Sequence, residues 1–128
     1  MKTPEKSITF SVLENEYKIT FPNNGQYIEL QSTKVRLSRD TYGALSGNYE
    51  TSSQWAKYTI DMIAFMTILC PKLKEDLKVA SLSELDMLSS KVLVKAYIEQ
   101  IVPWLDEWET VLSTEPKQEE LKEEKKSE

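Results

Sequence analysis

A chain of 128 residues suits one domain with a single buried core, and 40% apolar with 29% charged residues places it among sequences that fold. With no histidine, one cysteine and only three glycines, it excludes the usual zinc, iron and copper sites within one chain, an internal disulfide and a glycine-rich phosphate loop. A net charge of −5 opposes nonspecific binding to nucleic acid or to an anionic membrane.

The opening MKTPEKSITF lacks the apolar stretch of a signal peptide. Ile8, Phe10 and Val12, then Tyr17, Ile19 and Phe21, alternate with polar neighbours, which predicts a two-stranded hairpin over 7–21 turning through Glu14-Asn15. At Phe21-Pro22 the period changes from two to that of a helix. Asn23 and Gln26 have the spacing of a capping box, so a helix is predicted over about 24–38. On it Ile28 and Val35 share one side, adjoined by Tyr27, Leu30 and Leu37, while Glu29, Ser32, Thr33 and Arg36 take the other. Lys34, Arg36 and Arg39 gather near its end, where positive charge suits the helix dipole and reads as a solvated helix end. Residues 38–48 contain Gly43 and Gly47 and read as a loop with one further helical turn.

A second capping-box spacing, Thr51 to Gln54, opens a helix over about 52–70. Trp55, Tyr58, Met62, Phe65, Met66 and Leu69 form its main stripe, and Ile60, Ile63, Ala64 and Ile68 spread apolar surface around most of the rest. Such a helix must be covered by several neighbours or by a partner. The hairpin's apolar face is the expected lid. Lys57 and Asp61, four residues apart, are expected to form a surface ion pair marking a narrow solvent window. The run Met62–Cys70 is too short to cross a bilayer, which needs about 20 residues. Cys70 ends that run and reads as a buried core residue, since a catalytic thiolate would have no histidine base.

Pro71 predicts a short helix over 71–78. Ser81 and Glu84 have capping-box spacing, and a long helix is predicted over 82–102, with Leu85, Leu88, Val92 and Ala96 on one stripe and Met87, Val94, Ile98 and Ile101 on a second. Pro103 should kink or restart it. The segment 103–112 is sharply amphipathic: Trp104, Leu105, Trp108, Val111 and Leu112 lie on one side, and Asp106, Glu107 and Glu109 on the other. From Glu115 onward six glutamates and four lysines surround one leucine, so residues 113–128 are expected to be a disordered charged tail.

The expected fold is therefore α+β and mostly α, with a two-stranded hairpin packed on four to five helices in a single domain over 1–112. The acidic pairs Asp106/Glu107/Glu109 and Glu84/Asp86 read as solvated helix surface, because no apolar pocket is implied that would tune a carboxyl for acid–base work. Trp104 and Trp108 have two readings. They close the core, or with Leu105, Val111 and Leu112 they form an anchor that grips a partner helix. No catalytic residue, cofactor or metal site is predicted. The hairpin's two strand edges are potential pairing surfaces between subunits, so a homo-oligomer is possible.

The passage SITFSVLENEYKITF leading into FPNNGQYIEL, with the long apolar helix, further helices and charged tail that follow, resembles the tail assembly chaperones of long-tailed bacteriophages over residues 7 to about 112. The resemblance implies a non-catalytic assembly factor that binds the helical tape-measure protein, shields its apolar stripes and helps recruit tail-tube subunits. It also implies action in the host cytoplasm during infection, absence from the mature virion, and in some members a longer form made by frameshifting. No site residue carries over by motif. Two other readings stay open: a small virion protein, such as a head–tail connector or completion subunit, and a host-directed inhibitor.

Overall fold

The computed structural model describes residues 3–114, so all of the expected tail from residue 115 onward lies outside the described residues. Strands β1 (Ser7–Val12) and β2 (Asn15–Thr20) form a two-stranded antiparallel sheet in which Phe10 faces Tyr17 and Ile8 faces Ile19. The turn is Leu13-Glu14, one residue earlier than the sequence suggests: Val12 pairs with Asn15, and both turn residues have positive φ, 52° and 67°. That two-residue turn matches the strand twist, and the pattern of apolar residues fixes the register it closes.

Helix α1 (Asn24–Ser38) starts with the predicted capping box: the Gln26 amide N–H donates to Asn23 Oδ1 at 2.9 Å, and the Asn23 N–H donates to Gln26 Oε1 at 3.0 Å. Its rotation differs from the expectation. Leu30 and Thr33 are buried, whereas Ile28 and Val35 are 65% and 45% exposed. With this rotation Lys34 faces α3 and reaches Asp61. A short helix α2 (Tyr42–Gly47) follows, so both glycines of the expected loop lie in a helix.

Helix α3 (Thr51–Leu69) is the central element, flanked by α1, α2, α5 and the short helix α4 (Pro71–Leu77). Met62, Ala64 and Met66 are wholly buried. The predicted Thr51–Gln54 box is not made. Gln54 instead turns its amide back onto the carbonyl of Asn48 at 2.5 Å, tying α2 to the start of α3. Cys70 is buried between α3 and α4, and burial pushes its thiol up from the ordinary value.

The predicted helix over 82–102 begins later and ends differently. Ser81 opens only a single 3-10 turn, Leu82–Glu84, which plunges Leu82 into the core; α5 (Met87–Ala96) is capped by Asp86, whose Oδ1 accepts the Ser89 N–H at 2.7 Å. The α-helix restarts at Pro103, as expected, within one continuous rod. A π-helical turn, Tyr97–Ile101, widens the backbone just before α6 (Val102–Leu112), and Pro103 sits in the first turn of α6, where its missing N–H leaves no gap in the ladder. Leu93, Val94, Tyr97 and Ile101 face inward, whereas Met87 and Leu88 are each 77% exposed and Val92 is exposed as well, against the stripes expected for them.

The hairpin lies along this α5–α6 rod. The Gln100 side-chain amide clips the outer edge of β1, accepting the Ser11 N–H at 2.9 Å and donating to the Ser11 carbonyl at 2.7 Å. Both indoles of α6 donate to the Glu5 carbonyl, Trp104 at 2.7 Å and Trp108 at 3.1 Å. Phe21 stacks on Trp108 with ring centroids 4.4 Å apart. The cover over α3 therefore comes chiefly from other helices, and the hairpin seals the α5–α6 side.

Candidate partner groove

The rotation of α1 leaves a cleft of about 580 Å³ between α1 and α6. One wall carries Tyr27, Leu30, Gln31 and Lys34, the other Leu105, Glu109 and Leu112, and Phe21 and Pro22 close one side. The floor is Asp61 and Phe65 of α3 with Tyr42 and Tyr97. The walls are mainly apolar, and Tyr27 and Leu112 stand 56% and 66% exposed.

The polar part of the floor is a closed network. Asp61, expected at the surface, is only 4% exposed. It accepts from the Tyr42 hydroxyl at 2.5 Å and pairs with Lys57 at 2.9 Å and Lys34 at 3.4 Å. The two lysine side chains remain partly exposed while the carboxylate is compensated. Burial, and then the bond to Asp61, push the Tyr42 phenol well above its ordinary value; burial does the same for Tyr97. Asp61 thus joins α1, α2 and α3, and its oxygens are engaged by three donors. The network sets the shape of the floor and carries one positive charge in excess.

The predicted partner-binding residues divide. Trp104 and Trp108 are 6% and 7% exposed and belong to the core, as their shared acceptor and the stacked Phe21 require. Leu105 and Leu112 line the groove, whereas Val111 is half-buried and does not line it. Of the basic cluster, Lys34 is drawn into the network, while Arg36 and Arg39 stay exposed. Among the acidic pairs, Asp86 is a helix cap, and its bonds from Ser89 hold its carboxyl below the usual value; Glu84, Asp106, Glu107 and Glu109 are exposed. Sequence reasoning missed Tyr27, Tyr42 and Asp61 as groove residues. The available signal was Asp61 itself, the one acid on the most apolar helix, with lysines at two distances that could reach it.

Among the described residues no group of three or more acidic or cysteine side chains is placed to hold a metal ion, and no helix is long and apolar enough to cross a membrane. No family model, curated protein or solved structure matches the chain.

Proposed function

We propose that the protein is a non-catalytic assembly factor that holds an amphipathic helix of another protein in the groove between α1 and α6. The observation that carries this reading is the groove itself: exposed Tyr27 and Leu112 stand at its mouth, with half-buried Leu105 and Phe21 behind them. A cleft of this kind takes the large apolar side chains that recur at i, i+3 and i+4 along one face of a helix. Its walls add Lys34 on one side and Glu109 on the other, which orient a helix carrying charges beside its apolar stripe.

Together with the resemblance of residues 7–112, this favours a tail assembly chaperone of a long-tailed phage. The client is the tape-measure protein, whose long helices carry repeated apolar stripes, and tail-tube subunits are recruited around the complex. In that role the protein works in the host cytoplasm and leaves before the virion is complete.

Affinity capture from infected cells tests the proposal, using the wild type beside Tyr27→Glu and Leu112→Glu, two exposed positions. The wild type should recover the tape-measure protein, and each variant should lose at least about tenfold of that recovery, as expected when a charge enters an apolar contact. Recovery of a host enzyme would replace this reading with an inhibitor. Detection of the protein in purified virions would replace it with a connector or completion subunit.

A further inference from the structure

The two edges of the hairpin are not equivalent. Lys6 accepts the Phe21 N–H, so the main chains of Lys6, Ile8, Phe10 and Val12 point at β2, and those of Glu5, Ser7, Thr9 and Ser11 point away. The outward edge of β1 is occupied by the Gln100 clip at Ser11 and by the two indoles at Glu5. On β2 the same alternation turns the N–H and C=O groups of Glu16, Lys18 and Thr20 outward. Among the described residues no strand pairs with that edge. It is six residues long and contains no proline, and Glu16, Lys18 and Thr20 are all exposed.

We propose that this edge binds a second copy of the chain, β2 against β2 in antiparallel register with Tyr17 opposite Tyr17, to form a four-stranded sheet. Alternation and charge select that register. In an antiparallel pair outward-facing residues must oppose one another, so the even-numbered residues of β2 meet even-numbered residues. Centring on Tyr17 sets Glu16 of each copy opposite Lys18 of the other, two cross-strand ion pairs related by the twofold axis. A shift to either side brings Glu16 against Glu16 or Lys18 against Lys18. An exposed edge lysine ordinarily blocks pairing; here the neighbouring glutamate neutralises it, but only against a copy of itself. The solvent face of the enlarged sheet carries Ser7, Thr9, Ser11, Glu16, Lys18 and Thr20, all polar. Tyr17 stays committed to the core through its 2.8 Å bond to Asp76.

Analytical ultracentrifugation from about 1 µM to about 1 mM, the upper limit being the affinity of a very weak complex, tests this. The wild type should pass from monomer to dimer. E16K and K18E alone should each dissociate the dimer by about tenfold or more, because two opposite-charge pairs become two like-charge pairs. The E16K/K18E double variant should recover it, and a mixture of the two single variants should form heterodimers. Lys18→Pro removes an outward N–H that the hairpin ladder does not use, so it should keep the circular dichroism of the fold and abolish the dimer. A wild type that stays monomeric throughout, a dimer indifferent to both charge reversals, or single variants that remain apart when mixed would each overturn the proposal.

Discussion

Five described residues other than glycine have positive φ, Leu13, Glu14, Arg39, Asp40 and Lys78, whereas no glycine does. Each such position costs an L-residue about 1 kcal/mol, and at Leu13-Glu14 the cost is borne twice within one turn. Replacing that pair by Leu13→Asn with Glu14→Gly, the preferred chemistry for this turn, should stabilise the fold by about 1 kcal/mol in urea denaturation. An unchanged midpoint would mean that Leu13, 42% exposed, contributes contacts worth as much as the strain. Tyrosines are the other informative residues. Burial first, and then the bond to Asp76, push Tyr17 up to about 12; Tyr42 and Tyr97 move in the same direction. An unfolded phenol ionises near pH ~10, so the stability these neutral phenols supply is whole below that pH and is lost as pH climbs through the raised values. Urea melts at successive pH values should therefore show a falling midpoint from about pH 10 upward, and a level midpoint across that window would contradict the burial of these hydroxyls.

The helices illustrate what a periodic pattern can and cannot specify. The extents of α1, α3 and α4 follow closely from the Asn23 cap, Pro71 and apolar spacing. The rotation of α1 does not, because its apolar residues are spread around the axis and leave two faces nearly equal in burial value. Long-range packing decides between them: Leu30 and Thr33 turn inward and Ile28 turns out, an orientation that also brings Lys34 to Asp61, the centre of a network shared with Tyr42 and Lys57. Asp61→Ala should accordingly cost about 3 kcal/mol, since it strips Tyr42, Lys34 and Lys57 of their common partner. Lys34→Met should cost under about 1 kcal/mol, because Tyr42 and Lys57 still satisfy the carboxylate. Equal losses for the two substitutions in thermal or urea unfolding would show that the network does not centre on Asp61. The start of α5 differs from the expected one for a related reason: Ser81 and Asp86 are both competent caps, and the core's demand for Leu82 selects the later one.

Across the molecule, the hairpin and the α5–α6 rod are held together by bonds between residues about ninety positions apart or more. Gln100→Ala removes both bonds to Ser11 and should lower stability by about 1 kcal/mol while speeding hydrogen exchange at the Ser11 amide. Unchanged exchange there would mean that the edge of β1 is protected by something other than the glutamine. The same contacts explain why half of the candidate site was legible. Leu105 and Leu112 declare themselves by helical spacing, but the tryptophans beside them share that spacing and are claimed by Glu5 and Phe21. Alternation and spacing along the chain determined the hairpin, the capped first helix, the apolar central helix and the amphipathic last one, because local periodicity and backbone capping act over a few residues. Only the tertiary structure decided which faces remain open, namely the groove between α1 and α6 and the outer edge of β2, because exposure is what is left after distant segments have competed for the same surface.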